Sequence, residues 1–365
     1  MSEPESKRQR HGSPGTSLVA LRLPVQVRDA LMAKGCSTRA ILVERGFEVL
    51  REVSEKLRLP PGEAERMWIE CTQAPKSFGQ NAWELLKQGV QRIPIVTLCQ
   101  SLDELLGGGV QAKSGILEFC GLPGAGKTQL CLQLAATAQI PAVFGGVGGE
   151  VVYVDTEGSF AADRLAAMCT ALCLRLSRLA SKAGADPALA TAAAAMRADA
   201  CLEAVHVFRC FDELELIAVI KHLEAFVEKH PKIRLIMVDS VSFPFRHSGI
   251  DAARERTSAL MNISTTLRRL AEDIPVVVTN HMTTKLHPVP QTVPALGDSW
   301  AHQPTTRICL SAGKPGGGEV PLSCPTGREK DPPRYAQVLK SPSCAPGVVA
   351  QYAITARGVR DVGGT

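Results

Sequence analysis

The sequence predicts an α/β protein in which a mostly parallel central sheet is covered by helices on both faces, preceded by a small all-helical domain. Two observations carry this. Six short, nearly continuous apolar runs recur at Gly115–Cys120, Val151–Asp155, Ala204–Arg209, Leu235–Asp239, Val276–Asn280 and Arg307–Ser311, and the segments between the first five are long enough to be crossover helices. Ahead of them, residues 18–72 place apolar residues at helical spacing.

Taken in order, residues 1–17 form a polar, basic arm with nothing to pack, and the arm is expected to be disordered. It lacks the apolar stretch of a secretory signal. Its cluster KRQRH, Lys7 to His11, is a weak nuclear-localisation pattern. In residues 18–72 the segments VRDALMAKG and FEVLREVSEKL are amphipathic helices, with Gly35 and Pro60-Pro61 supplying breaks. Residues 73–92 read as a linker and 93–365 as the α/β domain. Two insertions within it, alanine-rich 183–200 and Gly/Pro-rich 313–333, are read as a surface helix or loop and as disorder.

The bulk numbers exclude some classes. With 365 residues and 45% hydrophobic content the chain can bury one large core, and no run of 18 apolar residues predicts a membrane span. Twelve cysteines without a Cys-x-x-Cys pair indicate reduced, buried thiols of an intracellular protein, and no zinc-ligand spacing is present. The net charge is +5; residues 1–239 balance at 27 basic and 27 acidic, whereas 240–365 hold 14 and 9. The whole excess therefore lies in the last third, where a polyanion surface and chance are both open readings.

Three motifs carry chemistry. GLPGAGKT, Gly121 to Thr128, matches G-x-x-x-x-G-K-[ST] and sits between an apolar strand and a helical run. Such glycines let backbone N–H groups turn onto phosphates, with Lys127 reaching the outer phosphates and Thr128 ligating Mg²⁺. RLIMVDS ends in Asp239, which a parallel sheet carries to the same edge, either to orient the metal or simply to make a turn. VVYVDTEG puts Glu157 just beyond a strand tip, where a carboxylate can polarise water; Asp155, Thr156 and Ser159 there equally suit helix capping.

These stretches, with SLDELLGGGV before them and VVVTNHMTT after, resemble the RecA-like ATPase core of the eukaryotic Rad recombinase family. IPAVFGGVGGEVVYVDTEGSF, SVSFPFRHSG, NHMTTK, ALGDSWAH and KSPS are similar to its paralogue branch more than to the main strand-exchange recombinase. The resemblance spans about residues 20–360 and implies a P-loop ATPase core, with the helical segment in the place of the family's N-terminal domain.

Residue by residue, it implies ATP against Gly121, Leu122, Pro123, Gly124, Ala125, Gly126, Lys127, Thr128 and Gln129, Mg²⁺ on Thr128 and Asp239, and water activation by Glu157. Arg164 would pack on the adenine. His281 stands where the family usually has a glutamine between γ-phosphate and DNA loop, implying a pH-sensitive coupling between about 6 and 7.5. Asn280-His281 together would meet the γ-phosphate. DNA contacts are implied at Arg246 and His247, and at Lys285 in the loop from Met282 to about Thr305. The excess charge of the last third falls on these loops.

The departures from the recombinase pattern are also informative. The docking motif Phe-x-x-Ala is replaced by Phe78 and Ala82, four apart; Leu57 to Pro61 lack a glycine hairpin; and Lys340 replaces an acid. The implied protein is a slow DNA-dependent ATPase of homologous recombination and double-strand break repair. It would be nuclear, acting on single-stranded or branched DNA in hetero-complexes with other Rad paralogues and assisting the main recombinase, with no membrane partner. A strand-exchange recombinase and a nucleotide-switched scaffold with little hydrolysis are the alternatives. A metabolic kinase is disfavoured because no acceptor-substrate lid pattern is evident.

Overall fold

The structure is a computed structural model that describes residues 18, 23–60, 62–72, 82–83, 93–182, 186–246, 253–285, 291–313 and 333–363. The chain divides into two compact units, Met1–Val90 and Gln91–Thr365.

In the first unit four helices, α1 (Val25–Ala33), α2 (Arg39–Arg45), α3 (Phe47–Lys56) and α4 (Glu63–Thr72), close on one apolar cluster. Leu18, Val27, Leu31, Leu42, Leu50, Val53 and Met67 supply it at the helical spacing read from the sequence. Thr38 caps α2 by accepting from the Ile41 N–H at 3.4 Å. Gly46, at φ 84 and ψ 171, joins α2 to α3 with no other residue between them. That backbone region is open to glycine alone, so the sharp corner is written into this position.

The second unit opens with α5 (Gln100–Leu105) and β1 (Ile116–Gly121), then α6 (Lys127–Thr137), β2 (Glu150–Asp155), α7 (Ala162–Lys182), α8 (Pro187–Ala195) and α9 (Ala198–Glu203). It continues through β3 (Val205–Arg209), α10 (Glu213–Lys229), β4 (Ile233–Asp239), α11 (Ala253–Leu270) and β5 (Val276–Asn280). A hairpin of β6 (Met282–Lys285) and β7 (Gln291–Pro294) leads to α12 (Gly297–Ala301) and β8 (Thr306–Ser311). The chain ends in β9 (Arg334–Lys340), β10 (Val349–Thr355) and β11 (Gly358–Arg360).

The nine-stranded sheet runs β11-β10-β9-β8-β1-β5-β4-β2-β3. From β8 to β3 the pairings are parallel. From β8 to β11 they are antiparallel. The sheet is therefore mixed, and the prediction of a mostly parallel sheet describes six of its strands. The three antiparallel strands lie beyond the Gly/Pro-rich stretch, and β9 alternates in burial instead of being buried throughout. Residues 314–332 of that stretch lie outside the described residues.

Alternation within the parallel strands explains their continuous hydrophobicity. Val151, Tyr153, Leu235, Met237 and Val277 enter one core, with Leu130 and Leu134 of α6 and Leu165, Met168 and Leu172 of α7. Their neighbours Val152, Val154, Ile236, Val238, Val276 and Val278 enter the other, with Leu216, Ile220 and Leu223 of α10 and Leu260, Ile263 and Leu267 of α11. Each strand thus serves two helix layers. The alanine-rich segment forms α8, started by Asp186 accepting from the Ala188 N–H at 2.9 Å, and the start of α9. Among the described residues eleven cysteines are free, and no helix is long and apolar enough to cross a membrane.

A buried ion pair lies inside this sheet. Glu118 of β1 and Arg307 of β8 are register neighbours, and Arg307 donates to Glu118 from Nε at 2.9 Å and from a terminal nitrogen at 2.7 Å. Glu118 is fully buried and Arg307 nearly so. Burial pushes the Glu118 carboxyl up, against the pull of the Arg307 charge. Replacing Glu118 by Gln should cost about 3–5 kcal/mol by stranding the guanidinium, whereas Glu118→Leu with Arg307→Met should recover most of it. Urea titration through the unfolding of the α/β unit measures both; equal losses in the two variants contradict the assignment.

Candidate functional site

Parallel strands deliver their C-terminal ends to one edge, and there β1, β2, β4 and β5 finish on Gly121, Asp155, Asp239 and Asn280. After β1 the chain makes the glycine-rich turn and enters α6 at Lys127. Gly126 has φ 102, a backbone conformation that side chains with a Cβ rarely adopt, so the backbone demands glycine here. The loop and its neighbours enclose a cleft of about 290 Å³. Pro123, Gly124, Gly126, Lys127, Thr128, Gln129, Glu157, His281, Arg334 and Ile354 line it.

Lys127 is largely buried and donates to the carbonyls of Gly121 at 2.9 Å and Leu122 at 3.2 Å. Burial pulls its ammonium below its ordinary value, opposed by the charges of Glu157 and Asp239. Asp239, 1% exposed, accepts three hydroxyl hydrogen bonds: from Thr128 at 2.7 Å, Tyr153 at 2.7 Å and Thr279 at 2.5 Å. Burial still pushes its carboxyl above the usual range, against those bonds. The Thr128 hydroxyl and the Asp239 carboxylate are a hard oxygen pair of the kind that holds Mg²⁺.

Glu157 is placed by the turn that follows β2. Asp155, fully buried, accepts from the backbone N–H groups of Glu157, Gly158, Ser159 and Phe160 at 2.8–3.3 Å. Arg209 clamps the same carboxylate at 3.1 Å. Thr156 is laced to the tip of β4: its Oγ1 donates to the Ser240 carbonyl at 2.7 Å and accepts from the Ser240 N–H at 2.9 Å. Capping at Asp155 and a presented carboxylate at Glu157 are two parts of one turn.

At the tip of β5 the two polar residues separate, because strand side chains alternate between faces. His281 lines the cleft, with Nε2 2.5 Å from Oε1 of Glu157 and Nδ1 buried without a partner among the described residues. Asn280 turns away: its Nδ2 donates to Glu118 at 2.7 Å and to the Ala295 carbonyl at 3.0 Å. The expectation that both residues meet the γ-phosphate is corrected by this alternation; only His281 lines the cleft.

Arg164 donates from Nε to Gln129 at 2.8 Å and from its terminal nitrogens to the Ala356 and Thr355 carbonyls at 2.8 and 2.7 Å. Its guanidinium plane is therefore fixed, and through Gln129 it reaches the cleft rim. Gly121, Leu122 and Ala125 shape the loop from outside the cleft lining, with Leu122 exposed. Arg246 is the exposed last residue of a turn, Pro244–Arg246, whose Pro244 and Phe245 are buried, and its charge reaches Lys127. Lys285 stands exposed at the end of β6. His247 lies outside the described residues, as do Phe78 of the linker pair and the cluster Lys7 to His11. Lys340 donates to the Pro304 carbonyl at 2.7 Å, just past α12.

Sequence reasoning missed Arg334 and Ile354. Arg334 donates to the Gly124 carbonyl at 2.5 Å, and Tyr352 of β10 donates to the Ala125 carbonyl at 3.2 Å. The one available signal was the alternation of RYAQVLK, which marks a strand but not its proximity to the glycine-rich loop.

A family model described as Rad51 matches residues 88–181 and 188–362. A DNA repair protein RAD51 homolog 3 of Cricetulus griseus is 34% identical over 356 residues, covering 94% of this chain and 92% of that protein. Its namesake from Dictyostelium discoideum is 34% identical over 296 residues, covering 78% of this chain and 70% of its own length. The match to that family model over most of the chain, with relatives 34% identical over most of their length, shows that this chain belongs to the Rad51 family.

Proposed function

We propose that this chain binds ATP with Mg²⁺ in the cleft, hydrolyses it slowly under the influence of DNA, and works in nuclear hetero-complexes with Rad paralogues that help the main recombinase load on single-stranded DNA. The observation that carries the reading is the convergence of Lys127, Thr128, Asp239 and Glu157 around one glycine-lined cleft. The two relatives named as DNA repair proteins support the pathway.

The residues fit such a ligand. Lys127 spans the loop through two carbonyl hydrogen bonds that phosphate oxygens can replace. A cation beside Asp239 offsets the burial that pushes its carboxyl up. Bound Mg²⁺ supplies neutralising charge to the phosphates. His281 and the Ser240 side chain both bond the Glu157 carboxylate, which lines the cleft where it can accept a proton from water. Holding the carboxylate this way favours slow turnover, and a nucleotide-switched scaffold is the alternative that follows if hydrolysis is negligible. For partners, β3 is a sheet edge, with Phe211 73% and Leu214 69% exposed just beyond it. For DNA, β6 and β7 form a solvent-facing hairpin of two strands only, which gains from a ligand's contacts.

Nucleotide titration and turnover measured on three proteins test the core of the reading. Lys127→Ala should weaken ATP binding at least tenfold, while Glu157→Gln should keep binding and lose about 10²–10⁴ in turnover. Equal turnover in wild type and both variants removes the ATPase and leaves the scaffold.

Glu157 also sets a pH dependence. Burial raises its carboxyl, but the bond and charge of His281 and the charge of Lys127 outweigh it and hold the group below its ordinary value. A carboxyl depressed in the folded state contributes stability above its unfolded value and loses it as pH falls through the folded one. Wild type should therefore lose melting temperature relative to Glu157→Gln as pH drops below about 4.5. Melting curves that stay parallel from neutral to acid pH refute this.

DNA affinity should fall with salt irrespective of sequence, and Arg246→Ala and Lys285→Ala should each reduce the log–log salt slope by about 0.7 on single strands. Slopes unchanged in both variants place the contacts elsewhere.

A further inference from the structure

We propose that Glu150, His206 and His230 form a binding site for a zinc-class divalent cation at the end of the sheet opposite the cleft. These residues are 56 and 24 positions apart, so no sequence spacing announces them. The fold brings one ligand atom of each to within 4.8 Å of the others.

Three backbone features build the site. Glu150 opens β2, and Val152, two residues on and so on the same face, pairs with His206 of β3, which sets Glu150 and His206 on one face of neighbouring strands. His230 closes α10, and its carbonyl accepts from the Ile233 N–H at 3.1 Å where β4 begins. The Glu150 N–H donates to the Lys232 carbonyl at 2.8 Å, fastening β2 to that same turn. The ligand-bearing positions are thus fixed by main-chain bonds rather than by the side chains themselves.

The side chains are held as well. His206 Nε2 lies 2.8 Å from a Glu150 carboxylate oxygen. The Phe226 ring stacks on His230 at 4.2 Å and meets His206 edge-on at 5.3 Å, restricting both imidazoles. About a quarter of the His206 and Glu150 side chains remains exposed, which leaves an entry path.

The distances suit an ion. Tetrahedral zinc with ligands at about 2.0–2.1 Å separates them by about 3.3 Å. The Glu150–His206 pair would open by about half an ångström and His230 would close by at most about 1.5 Å. In the hydrogen-bonded pair the proton stands where the metal would. Two imidazoles and one carboxylate favour zinc-like ions over Mg²⁺ and Ca²⁺, so this site and the Thr128–Asp239 pair would not compete for the same ion. Glu150 begins the strand that ends on Asp155, roughly 16 Å away at 3.3 Å per residue. The ion would therefore act as a staple of β2, β3 and the α10 turn, and solvent would complete its coordination.

Full-length protein, freed of metal, would be titrated with Zn²⁺ against a chromophoric chelator and with Co²⁺ followed by visible absorption. The expected result is one equivalent bound at micromolar affinity or better, a Co²⁺ spectrum without thiolate charge transfer, and a Zn²⁺-dependent rise in melting temperature of roughly 4 °C. His206→Gln and His230→Gln should each weaken binding at least about tenfold, and neither should alter ATP binding. Retained ATP binding shows that the variants are folded, and Glu150→Gln provides a third variant on another strand. Absence of stoichiometric uptake, uptake unaltered in all three variants, or thiolate bands in the Co²⁺ spectrum would each overturn the site.

Discussion

The arrangement of the strand-tip edge depends on a carboxylate with almost no access to water. Asp239 closes β4, and its two oxygens accept from helix α6 through Thr128, from β2 through Tyr153 and from β5 through Thr279. An ion buried to this degree is costly unless its lone pairs are used. Using them ties three strands and the start of α6 to one point. The burial cost persists, which is why the carboxyl sits above its usual range.

Around that point the remaining strand ends are laced in a definite order. The turn after β2 is built by Asp155, which spends its carboxylate on four backbone N–H groups and Arg209 and leaves Glu157 as the acid that lines the cleft. Ser240 and Thr156 join the tips of β4 and β2, and Ser242 accepts from the His281 N–H to join β4 to β5. Acids that look equivalent in a sequence thus take different tasks: Asp155 positions, Asp239 ties, and Glu157 is presented. What separates them is burial and the number of donors each faces.

Much of this was legible in the sequence. The glycine-rich turn, the acid-ended strands and the four crossovers follow from local patterns, since near-continuous apolar runs report burial on both faces and the strands do feed two helix layers. The antiparallel end of the sheet was not legible. Its strands are half-buried, and nothing in RYAQVLK states that Arg334 will lie against Gly124. Contacts made by distant pairing, including Glu118 with Arg307 and Glu150 with His206, are invisible for the same reason: strand order, not spacing, creates them. At Arg164 a residue type suited to stacking was legible, and the fold fixes the plane of that guanidinium through two carbonyls and a glutamine.

The tip of β5 shows how two adjacent polar residues can divide one task. Both touch the base of the β6–β7 hairpin through Ala295: Asn280 donates to its carbonyl, and the His281 carbonyl accepts from its N–H at 2.8 Å. Their other partners differ in kind. Asn280 is anchored to Glu118 and so to a buried ion pair that solvent cannot reach. His281 is bonded to Glu157, a cleft residue, and keeps one ring nitrogen without a partner among the described residues. Ala295 at the hairpin base is thus bonded both to the residue that lines the cleft and to the residue anchored in the sheet. A glutamine at position 281 could bond through one amide both ways, whereas imidazole must divide donor and acceptor between two nitrogens that point apart. In this chain the nitrogen toward Glu157 is taken.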